Sequence, residues 1–190
     1  MRKRIGPWVQ TRSGRAFYPL DARPDDIDIL DISHALGFQC RFNGHTRHFY
    51  SVAEHSVLLS LAVAPDLARW ALMHDAAEAY VGDIIRPIKQ ALPVFKAAEE
   101  ITLQAIAQAF GLSWPIPEEI NGADLALLAA ERLPIMGPSE SEWDLRCLPL
   151  DDVRFRFWGP ERAAREFLAR FYELWPERHP AAEAAERSAA

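Results

Sequence analysis

The sequence predicts an all-α fold carrying one small β-hairpin near its N-terminus. Apolar residues recur at helical spacing along most of the 190 residues. Glycine and proline fall between those segments, where helices stop. Two β-prone runs flank Arg12-Ser13-Gly14, a turn-compatible triplet that reads as a hairpin over Trp8 to Pro19.

Each element has its own local signal. A Pro/Asp-rich loop, Asp21 to Asp28, leads into a helix expected from Ile29 to Leu36, with Asp31 as its N-cap and Gly37 as its stop. Asn43-Gly44 marks a turn, and Ser51-Val52-Ala53-Glu54 has the capping-box pattern. The helix it opens runs from Val52 to about Val63, with Val57, Leu58, Leu61 and Ala62 expected toward the core. Pro65 and Asp66 break the chain before a helix that starts at Leu67 and continues unbroken to Gly82. Ile85 to Gln90 is expected as a loop bearing Arg86 and Lys89. A long amphipathic helix follows from about Val94 to Phe110, stopped by Gly111. Beyond the Trp114 to Pro117 linker, a helix from Glu118 or Glu119 to Leu133 sets Leu125, Leu127 and Leu128 around a single acid, Asp124. Pro134 to Pro149 is loop-rich, and a last helix, Pro160 to Leu174, buries Phe167, Leu168 and Phe171. Residues 1–180 form one domain, and the Ala/Glu-rich tail 181–190 is expected to be frayed or disordered.

Composition bounds the function. Apolar content of 49% and charged content of 25% are ordinary for a globular chain. A net charge of −6 argues against a nucleic-acid polymer as partner, though not against one small anion in a local basic pocket. Cys40 and Cys147 form no disulfide framework, no apolar run reaches the ~18 residues of a membrane span, and the basic start lacks a signal-peptide core. A cytoplasmic protein is expected.

The chemistry concentrates in Trp70 to Asp83. His74 and Asp75 stand side by side among Trp70, Leu72, Met73, Ala76 and Ala77, with Glu78 one turn further and Asp83 just past Gly82. Charges in a core helix are costly unless paired or metal-bound. A half-exposed helix with solvated acids is one reading. The other is half of a divalent-metal site, with Glu78 placed to handle a proton. Adjacent helical residues splay by about 100°, so the remaining ligands must come from other helices. His55 and Asp124, each in a largely apolar helix, complete two nitrogen and two oxygen donors. That set suits Mn²⁺, Co²⁺, Fe²⁺, Ni²⁺ or Zn²⁺, with Mg²⁺ a further option alongside substrate phosphates.

The ordered set His55, His74-Asp75, Asp124 resembles the HD-domain metal-dependent phosphohydrolases over about Trp8 to Leu133. The run His74 to Glu78, Gly82-Asp83 and Arg86-Pro87-Ile88-Lys89 looks like the bacterial 5′-deoxynucleotidase branch. Gln10 to Gly14, Cys40 to His45 and Phe49 to His55 also look like the compact phage dATP triphosphohydrolases. The resemblance implies an HD-domain helical bundle, Glu78 and Asp83 as catalytic residues, and an oligomeric enzyme. The Arg-Trp pair that the 5′-deoxynucleotidases carry ahead of their first metal histidine is matched here only by Arg41-Phe42.

Phosphate contacts are expected from Arg41 and Lys89, with Arg12, Arg86 and His45 as further candidates. Arg12, Arg15 and Arg23 lie near Trp8, Phe17 and Tyr18, which reads either as a phosphate and base contact or as an amphipathic hairpin. His48 reads as a solvent-exposed loop residue and His34 as a core histidine. The function expected is release of phosphate from deoxynucleoside 5′-monophosphates. Two alternatives remain: a triphosphohydrolase releasing tripolyphosphate, dATP foremost, and a non-catalytic metal-binding regulatory module. Hydrolysis needs no organic cofactor. Phe155, Phe157, Trp158, Phe167, Phe171 and Trp175 are more aromatic area than one core edge needs, so a homo-oligomer is expected.

Overall fold

A computed structural model describes residues 3–182 and is built from eight α-helices and one two-stranded hairpin among those residues. Strands β1 (Val9–Gln10) and β2 (Ala16–Phe17) pair antiparallel with Val9 opposite Phe17. The helices are α1 (Ile29–Phe38), α2 (Val52–Ala62), α3 (Ala68–Met73), α4 (Glu78–Val81), α5 (Arg86–Ala91), α6 (Pro93–Phe110), α7 (Glu118–Glu131) and α8 (Pro160–Leu174). The expected frayed tail falls mostly on 183–190, outside the described residues. No helix among the described residues is long and apolar enough to cross a membrane.

The N-terminal cap and the stop of α1 differ from expectation. Asp28, not Asp31, caps the helix by accepting from the Leu30 amide at 2.8 Å. Asp31 instead accepts from the Ser13 amide (2.8 Å) and hydroxyl (2.7 Å), which fastens the hairpin loop to α1. Gly37 lies inside the helix. A Cβ there would stand 2.8 Å from the Ala164 amide nitrogen and the Pro160 carbonyl oxygen, so glycine is what lets α1 and α8 approach.

Helix α2 is surrounded by α1, α3, α7 and α8, so its buried side is set by several neighbours rather than by one stripe. Val57 is buried and Leu58 partly so, but Leu61 and Ala62 are exposed, contrary to expectation. Ser56 and Ser60 are tolerated inside because their hydroxyls donate to the Val52 and Val57 carbonyls.

The helix expected over Leu67 to Gly82 is two short ones. Between α3 and α4 the amides of Ala76, Glu78, Ala79 and Tyr80 bond to carbonyls three residues back rather than four, a tighter winding that interrupts the α-pattern at His74 to Ala77. Gly82 ends α4 with φ +87° and Gly111 ends α6 in the left-handed region, both as expected. Ile85 to Gln90 is not a loop but mostly α5, started by Pro87 in its first turn. α7 ends at Glu131 rather than Leu133, passing into a wide turn over Arg132–Met136.

The core joins Phe17, Leu36, Leu59, Leu72, Ile106 and the α8 aromatics. Phe171 stacks on Trp175 at 4.7 Å, and the Trp175 indole donates to the Phe110 carbonyl at 3.0 Å. Phe167 is fully buried, and Phe155 and Trp158 lean on the same core. The aromatic area that argued for an oligomer is thus largely used within the chain.

Candidate metal centre

Two helices and the turn after α3 bring the centre together. His55 comes from the first turn of α2, His74 and Asp75 from the tight turn between α3 and α4, and Asp124 from the middle of α7. One donor atom from each of His55, His74 and Asp124 lies within 4.8 Å of the others, so the cluster can hold a metal ion. The His55 Nε2 lies 3.3 Å from His74 Nε2 and 3.1 Å from Asp124 Oδ1. Asp75 Oδ2 is 3.2 Å from His74 Nε2 and 3.8 Å from His55 Nε2, at the edge of the same group.

The other face of each imidazole decides what the Nε2 atoms offer. His74 Nδ1 stands 2.8 Å from the Ala71 carbonyl, which only accepts, so Nδ1 carries the proton and Nε2 presents a lone pair when the ring is neutral. His55 Nδ1 meets Glu131 Oε1 at 2.5 Å. A metal-binding imidazole is usually fixed in this manner, by a carboxylate or carbonyl on its second nitrogen. Two lone-pair nitrogens facing two carboxylates 3–4 Å away need a cation between them, either protons or a metal. The donor chemistry fits a divalent ion.

Glu131 was not anticipated, since α7 was expected to carry a single acid. It is fully buried and accepts from the Tyr50 hydroxyl (2.7 Å) and Arg41 Nη2 (3.2 Å) as well as facing His55. Its signal was its position seven residues, two turns, after Asp124 on the same helix face. Arg41 also reaches Asp75 Oδ2 at 3.4 Å, linking the support carboxylate to the centre.

Electrostatics follow from burial and these partners. Burial disfavours a charged His74, yet Asp75 and Asp124 hold its pKa well above the ordinary value. For His55, burial and Arg41 oppose charge, but Glu131 and Asp124 outweigh them and raise it. Asp75 and Asp124 are held below the carboxylate range, against the cost of burial, by the two histidines. Glu78 runs the other way. Burial first, then the neighbouring Asp75 and Asp83, push its carboxyl well above the usual range, and its Oε2 is buried with no hydrogen-bond partner among the described residues. Gln39 anchors that residue by donating to the Glu78 carbonyl at 2.8 Å.

A cavity of about 880 Å³ opens onto the centre. Asp75, Glu78, Asp83 and Asp124 line it, as do the cations Arg41, Arg86, Lys89 and Lys96. Lys89 is tied to Glu99 at 2.5 Å and Arg41 to Asp75 and Glu131. Arg86 and Lys96 are exposed and carry no ion pair among the described residues. Arg12 and His45 are exposed and do not line the cavity. The hairpin arginines make local pairs, Arg15 with Asp28 and Arg23 with Asp21, as an amphipathic hairpin would. His48 sits exposed against the Phe157 ring, and His34 is half-buried against Phe38 rather than in the core.

The capping box at Ser51 is only half made. Ser51 accepts from the Glu54 amide, but the Glu54 carboxylate turns away and takes the amides of Arg156 (2.6 Å), Phe157 (3.0 Å) and Trp158 (2.8 Å). It pins the segment before α8 beside His55.

Fold and site together define a mostly helical protein with a partly buried His/Asp cluster able to hold a metal ion at the wall of a cavity. No family model matches the chain. It is 40% identical over 170 residues to the uncharacterized protein YfdR of Escherichia coli (strain K12), covering 88% of this chain and 95% of that protein. It is 39% identical over 151 residues to the uncharacterized protein RCAP_rcc00048 of Rhodobacter capsulatus, covering 72% of this chain and 77% of the relative. The chain belongs to the family of YfdR.

Proposed function

We propose that this protein is an HD-domain phosphohydrolase that releases orthophosphate from deoxynucleoside 5′-monophosphates with one divalent metal ion. The observation that carries the reading is the convergence of His55, His74 and Asp124 beside a cavity walled by the unpaired, buried carboxylate of Glu78. A closed structural metal site would have no such carboxylate next to it. Asp75 is the fourth ligand in this reading.

When bound, the ion acidifies a water and polarises the phosphoryl oxygen. Glu78 takes the proton of the attacking water, a role suited to a carboxylate whose basicity its surroundings raise. The phosphorus–O5′ bond breaks, and the leaving 5′ oxygen takes a proton from Asp83, whose carboxyl burial also raises. Arg86 and Lys96, which carry no ion pair among the described residues, neutralise charge on the phosphoryl oxygens. Arg41 and Lys89 line the same cavity with their charge shared with Asp75, Glu131 and Glu99. Products are a deoxynucleoside and orthophosphate.

Charge balance supports the monophosphate over the triphosphate. Six carboxylates and four cations line the cavity, and two of those cations are already paired. One metal plus Arg86 and Lys96 matches a dianionic phosphate better than a chain of three. The reading also makes the protein a homo-oligomer, like the enzymes it resembles.

The test incubates the protein with Mn²⁺ or Co²⁺ and either dAMP or dATP, and identifies the released ion. Orthophosphate from dAMP is expected. Tripolyphosphate from dATP with dAMP untouched moves the assignment to the triphosphohydrolases, and turnover of neither leaves a metal-binding regulatory module.

A further inference from the structure

Beyond its acids and cations the cavity has an apolar wall that metal and phosphate chemistry leaves unused. Ile84 and Ile85 between α4 and α5, Pro87 in the first turn of α5, and Leu128 of α7 face it with two aromatic rings, Phe42 and Trp143. The rings meet with centroids 6.1 Å apart and planes at 56°. Neither belongs to the hydrophobic core.

Both are held in ways that core packing does not require. Phe42 sits at φ +56° and ψ +31°, with Asn43 (φ +51°) and Gly44 (φ +79°) following. A bulky residue in the left-handed region is strained and persists only where its surroundings impose it. Trp143 comes from an irregular stretch whose neighbours Glu140, Ser141, Glu142 and Asp144 are exposed. Its ring has the Phe42 contact and, among the described residues, no hydrogen bond. That stretch is fastened on either side, where the Arg47 amide donates to the Ile135 carbonyl at 2.9 Å, the Leu150 amide donates to the Ala126 carbonyl at 3.0 Å and Glu54 takes the amides of residues 156–158. A large ring in a polar strap, turned to a cavity rather than to the core, presents a flat apolar face to whatever enters.

We propose that Trp143, backed by Phe42, is the stacking platform for the nucleobase. The inference rests on the nucleotide reading above and adds which part of the substrate is recognised, and how. Stacking accepts every base because each has a π-face. Among the lining residues outside the acid, metal and phosphate set only Gln90 stands as an uncommitted polar group, since Asp144 pairs with Arg146 at 3.4 Å. The site is therefore tolerant of base identity, with purines held more tightly than pyrimidines through their larger face.

Titration calorimetry of the metal-loaded Glu78→Gln protein, whose turnover is slowed about 10²–10⁴-fold, tests this with two ligands, dAMP and deoxyribose 5-phosphate. Adding Trp143→Ala is expected to weaken dAMP by about 5- to 100-fold and to leave deoxyribose 5-phosphate unchanged. Trp143→Phe should restore most of the loss. Equal weakening of both ligands means that Trp143 only shapes the cavity, and no weakening of either means that the base lies elsewhere; each overturns the platform. The two readings fail separately. Wild-type protein that binds dAMP through Trp143 yet hydrolyses nothing sinks the phosphohydrolase and supports the platform. Hydrolysis with dAMP affinity untouched by Trp143→Ala does the reverse.

Discussion

Glu131 and Glu78 are both buried, yet their surroundings push the two carboxyls in opposite directions. Against the cost of burial, Arg41 and His55 hold Glu131 below the ordinary range, so it stays ionised and fixes the His55 ring. Glu131→Gln keeps an acceptor for His55 but removes the charge. Metal affinity should fall about 10- to 100-fold, as for other outer partners of a ligating histidine, measured by calorimetry with Mn²⁺. For Glu78, burial and the acids Asp75 and Asp83 raise the carboxyl, so ionisation in the folded state costs stability. The sign follows: an unfolded glutamate ionises first as pH rises, so metal-free stability falls until the folded group also ionises. Glu78→Gln should therefore melt higher than wild type, by a margin that grows as pH rises from the ordinary glutamate range toward the raised folded-state value. It should keep its metal and lose about 10²–10⁴ in rate. A variant that turns over normally removes Glu78 as the base.

At the scale of elements, the α1–α8 contact is the one set most tightly by a single position. A Gly37 side chain meets backbone, the Ala164 amide and Pro160 carbonyl at 2.8 Å, which cannot rotate away. Gly37→Ala should cost about 1–3 kcal/mol, as overpacking does elsewhere, read as a lower urea midpoint at unchanged slope. The gain in helix propensity from glycine to alanine, about 1 kcal/mol, works in the opposite direction and is the smaller effect. A variant more stable than wild type would mean that the two helices can part without loss.

For the whole molecule, the His55, His74 and Asp124 cluster links pH and stability to the metal ion proposed for it. His55 and His74 carry raised pKa values in the metal-free protein. Their contribution is fully present below the ordinary histidine range and is lost as pH rises through the raised values. A metal takes the same imidazoles neutral, so binding releases protons and tightens with pH. Chelation by EDTA should then lower the melting temperature clearly at neutral and alkaline pH and little in acid. At about 100 times its dissociation constant the metal contributes ~2.7 kcal/mol. Differential scanning calorimetry with and without chelator measures this, and a melting point indifferent to metal at neutral pH counts against the centre.

By itself the sequence determined what a turn of chain can encode. The hairpin around Arg12 to Gly14, the long α6 ending at Gly111, α8 with Phe167 and Phe171 inward, and the His74 to Glu78 spacing all follow from neighbours within a few residues. Caps, periodicity and glycine stops are local, so they can be read locally. Tertiary structure decided which neighbour each polar group faces. Asp31 left its helix cap for Ser13, Glu54 left its capping box for three amides about a hundred residues away, and Glu131 found His55 across 76 positions. The interruption between α3 and α4 was likewise hidden, because His74 to Ala77 contains no glycine or proline to mark a break. A buried charge takes its partner from whichever element packs against it, and that choice is made by the whole core rather than by the residues beside it in the chain.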